Sequence, residues 1–175
     1  GVEENLPLFL GVLSYKSPMS LNSSLENWKT HGLKGLDFAG RFVQLNKRSK
    51  LDDEVIARHE QAFNFTVTGT SEENIHPGLA ISRFCRAAAK APNSHPNGEN
   101  LILFLEKDWH LKEVRQDLKD IFRSVNSLVQ RGVPYVRLSP NYIYNHKSWQ
   151  CDAEGIKWTC QTAHQQRYTN LPSVV

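Results

Sequence analysis

Leu6 to Ser14 is a continuous apolar run, Leu-Pro-Leu-Phe-Leu-Gly-Val-Leu-Ser. Such a run predicts a strand buried on both faces. Tyr15-Lys16-Ser17-Pro18 breaks it, and Ser20 to His31 then places Leu21, Leu25 and Trp28 at helical spacing, with Gly32 as the stop. Phe38 to Leu45 predicts a second strand. Asp52 can cap a helix that sets Val55, Ile56, His59 and Phe63 on one face. Asn64 to Thr68 predicts a short third strand, followed by a polar loop from Gly69 to Pro77. Gly78 to Lys90 is Ala-rich and helical, ended by Pro92, and a Pro/Asn/Ser/Gly loop covers 92 to 98. Leu101 to Leu105 is the clearest strand. Leu111 to Arg131 carries a long apolar stripe (Leu111, Val114, Leu118, Ile121, Phe122, Val125, Leu128 and Val129) and predicts a helix closed by Gly132 and Pro134. Tyr135 to Leu138 predicts a further strand. Beyond Pro140 the periodicity fades into a loop-like, aromatic-rich tail.

Strands that alternate with helices predict an α/β layered fold around a mostly parallel sheet. Ligands of such folds bind beyond the carboxyl ends of the strands. That rule selects Ser14-Tyr15-Lys16, Asn46-Lys47, Gly69-Thr70 and Glu106-Lys107-Asp108 as rim residues.

Composition narrows the picture modestly. A chain of 175 residues with 39% hydrophobic and 22% charged positions is an ordinary globular chain, with one domain as the expectation. The net charge of +3 includes no basic block beyond Lys47-Arg48-Ser49-Lys50, so a nucleic-acid partner is not expected. A mild positive bias suits a small anionic ligand. No apolar run approaches the roughly 18 residues of a membrane span. The chain begins Gly1-Val2-Glu3-Glu4, without Met, and reads as an excised or processed piece whose anchor could lie upstream. Cys85 sits among alanines and reads as a small core residue, while Cys151 and Cys160 flank Gly155 and can close a short loop by a disulfide. Asn22 and Asn64 begin Asn-x-Ser/Thr sequons. These weak signals leave the compartment open between the cytoplasm, which is favoured, and a secretory-pathway lumen such as the Golgi.

The chemistry concentrates after the clearest strand. Glu106 and Asp108 are two apart, so on a strand both carboxylates point the same way. Two convergent carboxylates are best tolerated beside a cation, and hard oxygen ligands select Mg²⁺ or Mn²⁺. The plainer reading is a solvated strand-to-helix turn with Asp108 capping the helix at Leu111.

In context, the chain resembles the nucleotide-sugar-dependent glycosyltransferases of the GT-A fold, especially the large inverting family 2. Three motifs in order carry the resemblance across residues 8 to 110. The first is the apolar strand ending in Ser14-Tyr15-Lys16-Ser17-Pro18 before a helix. The second is the loop Glu73-Asn74-Ile75-His76-Pro77-Gly78 entering the helix with Arg83. The third is the strand Ile102-Leu103-Phe104-Leu105 ending in Glu106-Lys107-Asp108, similar to an Asp-x-Asp motif. A more distant likeness is to small viral and algal GT-A domains. The resemblance implies a Rossmann-like three-layer α/β sandwich with a mostly parallel central sheet, with a donor half at 1–110 and an acceptor-side half at 111–175. At 175 residues this reads as a trimmed or minimal transferase, one module of a longer protein.

The resemblance also implies roles. Ser14, Tyr15 and Lys16 would hold the nucleotide, and Asn74, Gly78 and Arg83 would cradle the rest of the donor. Glu106 would contact the ribose or sugar, and Asp108 with Glu106 would bind Mn²⁺ or Mg²⁺. A downstream histidine, His146 or His164, would complete the metal sphere, with His164 as the first candidate. An inverting enzyme needs a base for the acceptor hydroxyl, and Asp152 and Glu154 are the only carboxylates past Arg131. Trp109, Tyr142, Tyr144, Trp149 and Trp158 could form an acceptor groove for a glycan or other hydroxyl compound.

The departures are specific. Family 2 members carry an acidic pair at the end of the second strand, whereas this chain has Val43-Gln44-Leu45-Asn46, without a carboxylate. The donor base is therefore open. Glu stands for the first Asp of the acidic motif, and retention is the alternative to an inverting course. A nucleotidyltransferase would place a glycine-rich basic loop after the first strand, which Ser14-Tyr15-Lys16-Ser17-Pro18 does not provide. A non-catalytic, degenerate GT-A nucleotide- or carbohydrate-binding module is the alternative to an enzyme.

Overall fold

A computed structural model describes residues 5–112, 117–133, 135–138, 148–163 and 166–170. The chain divides into two compact units, Gly1–His110 and Leu111–Val175.

The first unit is built on a parallel sheet of four strands: β1 (Leu8–Tyr15), β2 (Gly40–Asn46), β3 (Thr66–Thr68) and β4 (Leu101–Glu106), in the order β3-β2-β1-β4. β1 is central, and its residues 9–14 are all buried, as the unbroken apolar run requires. Register sets Gly11 beside Phe42 and Phe104, and Leu13 beside Gln44 and Glu106. Partners in register share a face. One face therefore carries Gly11, Leu13, Phe42, Ile102 and Phe104. It packs under Ala80 and Phe84 of α4 (Pro77–Lys90).

Gly11 makes that packing possible. A Cβ there would lie 2.4 Å from Cδ2 of Phe84, inside any permitted contact. The opposite face carries Leu10, Val12, Val43, Leu45 and Leu105, all buried. Its cover is α1 (Pro18–Thr30), which also packs on β1, with Leu21, Leu25 and Trp28 fully buried. Each such Leu or Val contributes roughly 1.5–3 kcal/mol by leaving water.

α2 (Lys50–Arg58) and α3 (Glu60–Phe63) lie between β2 and β3 in the chain. Ser49, not Asp52, caps α2. Its side chain accepts from the Asp52 N–H while the Asp52 carboxylate accepts from the Ser49 N–H, a reciprocal capping box. His59 ends this helix instead of continuing its face. Cys85 is exposed on α4 and is no core residue: Phe84 and Ala88 take the inward positions.

The second unit departs most from the sequence pattern. Its helix α5 spans Leu118–Gln130 and is capped by Asp117, whose Oδ1 accepts from the Lys119 N–H at 2.8 Å. Leu111 and Lys112 are not helical, so the apolar stripe overstated the helix, and Val114 lies outside the described residues. The supposed loop-like tail instead forms β6 (Ser148–Ala153), β7 (Ile156–Ala163) and β8 (Gln166–Asn170). With β5 (Tyr135–Arg137) they make a separate sheet, β5-β8-β7-β6, so Tyr135–Arg137 does not extend the first sheet.

The reason is a hairpin signal. Ala153 pairs with Ile156, leaving Glu154 and Gly155 as a two-residue turn with φ of 51° and 77°. Positive φ at both central positions matches the twist of antiparallel strands. Ile156 and Trp158 are buried against α5, where the Trp158 Nε1 donates to Ser124 Oγ at 2.7 Å and Ser124 donates to the Ala153 carbonyl at 2.7 Å. Trp158 is therefore core and cannot line an acceptor groove. Cys151 is disulfide-bonded. Tyr142, Tyr144, His146 and His164 lie outside the described residues. Among the described residues, no helix is long and apolar enough to cross a membrane.

Candidate functional site

The parallel register of the first sheet brings the carboxyl ends of β1, β2, β3 and β4 to one edge. β1 delivers Ser14, Tyr15 and Lys16 there. Ser14 is buried, and its Oγ makes no hydrogen bond among the described residues. Tyr15, on the other face by alternation, is exposed. Lys16 turns the chain with φ of 45° and sets its Nζ 5.6 Å from the centre of the Tyr15 ring. This edge thus offers water an aromatic surface and a cation side by side.

β4 delivers the acidic turn. The strand ends at Glu106, so Asp108 is placed by a turn and not by strand alternation. Four hydrogen bonds hold that turn. The Lys107 N–H donates to the Leu13 carbonyl at 3.0 Å, and the Trp109 N–H donates to the Glu106 carbonyl at 3.0 Å. From α1, the Ser24 hydroxyl donates to the Lys107 carbonyl, and the Trp28 indole donates to the Trp109 carbonyl at 2.6 Å. The Trp109 ring stands edge-on to Phe104, 5.9 Å between centres. Asp108 does not cap a helix at Leu111, because the chain there is not helical.

Partial burial pushes the Glu106 carboxyl up from its ordinary pKa. The negative charge of Asp108 adds to this, and Lys107 opposes it. The Asp108 charge thus opposes ionisation of Glu106, an effect that a divalent cation would relieve. Among the described residues there is no group of three or more His, Cys, Asp or Glu side chains able to hold a metal. Two hard oxygen donors fit a Mg²⁺- or Mn²⁺-type ion that keeps waters and shares phosphate ligands, and do not fit an all-protein cage.

The middle of the edge holds a network that motif reading missed. Gln44 and Asn46 are buried, two apart on β2 and thus on one face. Thr68 Oγ1 donates to Gln44 Oε1 at 2.7 Å, while Gln44 Nε2 donates to Asn46 Oδ1 at 3.2 Å and to Glu73 Oε1 at 3.1 Å. Asn46 reads the backbone of Ile75 both ways, donating to its carbonyl at 2.8 Å and accepting from its N–H at 3.1 Å. The Lys47 N–H donates to the Glu73 carbonyl at 2.7 Å.

Arg83 reaches from α4 to Glu73 Oε1 at 3.0 Å, so its guanidinium is engaged by a carboxylate of the protein itself. The Gln44 amide, then Arg83, hold the Glu73 carboxyl below its ordinary pKa. A carboxylate therefore does stand beside the end of β2, supplied from the loop 69–76. The available signal was the pair of amides in an apolar strand: buried polar side chains require partners.

Asn74 and Gly78 are exposed where this loop enters α4. His76 caps the helix, its Nδ1 accepting from the Leu79 N–H at 3.3 Å, which occupies one of the amides open to an anion. The structure thus gathers Tyr15, Lys16, Glu106 and Asp108 on adjacent strand ends, with Arg83 tied back to Glu73. Asp152 and Glu154 belong to the second unit, both exposed at the β6–β7 hairpin. The Asp152 carbonyl accepts from Arg131 at 2.8 Å, and Glu154 sits at the tip.

No protein-family model and no curated protein sequence matches the chain. Among solved structures, it is similar to Staphylococcus aureus TarS, residues 1–349, in complex with UDP-GlcNAc, with a TM-score of 0.54 and 14% identity. That match covers 79% of this chain and 36% of the TarS fragment. A second S. aureus TarS structure gives a TM-score of 0.49 at 14% identity, covering 79% of this chain and 23% of that one. The chain thus spans little more than a third of the first neighbour's length. At this identity the likeness speaks to architecture: the chain has an α/β fold of the Rossmann-like GT-A type, built on the parallel sheet β3-β2-β1-β4.

Proposed function

We propose that this chain is a GT-A module of a metal-dependent glycosyltransferase, with residues 1–110 as its donor half. It transfers a sugar from a nucleoside-diphosphate sugar to a hydroxyl acceptor, with inversion. The observation that carries the reading is the acidic turn. Glu106 and the exposed Asp108 lie together at the end of β4, one strand from the exposed Tyr15 and Lys16, in a fold similar to that of a protein in complex with UDP-GlcNAc.

Tyr15 offers its ring to the nucleoside, and Lys16 meets the diphosphate as a point charge. Glu106 and Asp108 would hold Mn²⁺ or Mg²⁺ together with donor phosphate oxygens. Such an ion neutralises charge on a departing diphosphate. A base must take the proton of the acceptor hydroxyl, and Asp152 and Glu154, the carboxylates past Arg131, are its candidates. The acceptor oxygen bonds the anomeric carbon as the bond from that carbon to the phosphate oxygen breaks, and the nucleoside diphosphate leaves with the electron pair.

Calorimetry with a panel of nucleoside diphosphates, each with Mn²⁺, Mg²⁺ or EDTA, tests this, with UDP and UDP-GlcNAc first. Binding should require the metal, and Asp108→Ala should weaken it by at least tenfold, the scale of losing a charge-assisted contact. Absence of heat for every pair would end the proposal. Metal-dependent binding without transfer to any hydroxyl would favour a binding module. Exposure of both candidate bases at a hairpin is the observation that favours that second reading.

A further inference from the structure

Two buried polar side chains of α1 have no place in the donor chemistry above, yet both end on the acidic turn. Ser24 and Trp28 are four residues apart, on one face of the helix, and neither exposes any surface. Positions on that face otherwise hold Leu21 and Leu25. An apolar residue at either site would leave a carbonyl of the turn without its donor.

We infer that Ser24 and Trp28 are positioning residues: they tether the Lys107 and Trp109 carbonyls so that Asp108 is presented in one orientation beside Glu106. This rests on the reading of the acidic turn as the cation- and diphosphate-binding element. The geometry is specific. Asp108 is exposed, so nothing packs its side chain into place. Its orientation is inherited from the peptides before and after it. The residues on either side, Lys107 and Trp109, are each held twice, once through the N–H by a backbone bond (Lys107 to Leu13, Trp109 to Glu106) and once through the carbonyl by α1. A carboxylate on an untethered turn would lose conformational freedom on meeting a cation, and that loss would subtract from affinity. Groups that orient metal ligands typically change affinity 10–100-fold when removed.

The test uses Ser24→Ala, which is nearly isosteric, and Trp28→Phe, which keeps an aromatic ring and removes the N–H. Leu25→Val, on the same buried face without a bond to the turn, serves as the control. Two quantities are read in each: hydrogen exchange of the 107–109 amides, and affinity for UDP with Mn²⁺. Both tether variants should exchange faster in the turn and bind about tenfold more weakly. Leu25→Val should lower thermal stability without either effect. Unchanged exchange in Ser24→Ala, or faster exchange with unchanged affinity, would overturn the tether. If Leu25→Val matched the tether variants, the role would be packing and the inference would fall. A wild-type protein that binds neither Mn²⁺ nor Mn²⁺ with UDP would overturn the reading of the turn itself, while the exchange measurement would still decide whether α1 holds it.

Discussion

Replacing Gly11 by alanine should destabilise the protein by about 2 kcal/mol, and the figure follows from what the new methyl group would meet. Its Cβ would lie 2.4 Å from Cδ2, 2.8 Å from Cγ and 2.9 Å from Cε2 of Phe84. The ring cannot swing aside cheaply. It is stacked on Phe42 with 6.2 Å between centres, faces Phe104 at 6.3 Å, and is 2% exposed. Overpacking of this kind costs about 1–3 kcal/mol, and the ring's confinement argues for the upper part of that range. Against it stands a gain of about 0.4–1 kcal/mol from the reduced freedom of an unfolded chain with alanine. The net is about 2 kcal/mol, or a melting temperature lower by roughly 4–8 °C for a chain of this size.

Denaturant titration of Gly11→Ala, Phe84→Leu and the double variant checks both size and cause. The smaller Leu side chain makes room, so the double variant should be more stable than the sum of the single losses predicts. A Gly11→Ala protein within about 0.5 kcal/mol of wild type, or strict additivity in the double, would refute the argument that α4 approaches the sheet only because position 11 lacks a side chain.

The remaining predictions concern the two shifted carboxyls. Hydrogen bonds from Gln44 and Arg83 lower the Glu73 pKa in the folded protein, so its stabilisation is fully present above the ordinary glutamate value near 4.3 and disappears as pH falls through the lower folded value. Glu73→Gln should therefore be less stable than wild type at neutral pH, with the gap closing in acid. Melting curves between about pH 2.5 and 7 would show a constant gap if the charge did not matter. Glu106 shifts the other way, so its ionisation costs stability once pH exceeds the raised folded value, and costs nothing below the ordinary one. Glu106→Gln should gain stability relative to wild type as pH rises through that window, yet bind Mn²⁺ with UDP far more weakly. A variant that is less stable at every pH would show that Glu106 is a structural residue.

Much of the first unit is legible in the residues alone. The run from Leu6 to Ser14 announces a strand covered on both sides, and Leu101 to Leu105 announces its neighbour, because a doubly buried strand needs apolar residues at every position. Glu106 and Asp108 are conspicuous for the same reason: charges directly after such a strand lie at its open end. In the second unit, Ile156-Lys157-Trp158-Thr159 alternates with period two behind Glu154-Gly155, a hairpin signal hidden by the short strands around it. Local pattern overstated α5: Leu111 is apolar and in register with the stripe, yet the chain is not helical at Leu111 and Lys112, and the helix begins at Leu118.

What only the tertiary structure decided is which polar groups meet. Gln44 finds Glu73 29 positions away, and Ser24 finds the Lys107 carbonyl 83 positions away. No local periodicity encodes such distances. Period and composition report whether a side chain must leave water. A buried donor's partner is chosen by the sheet register and by the approach of α1 and α4, which set the edge where Arg83 closes on Glu73 and where α1 grips the acidic turn.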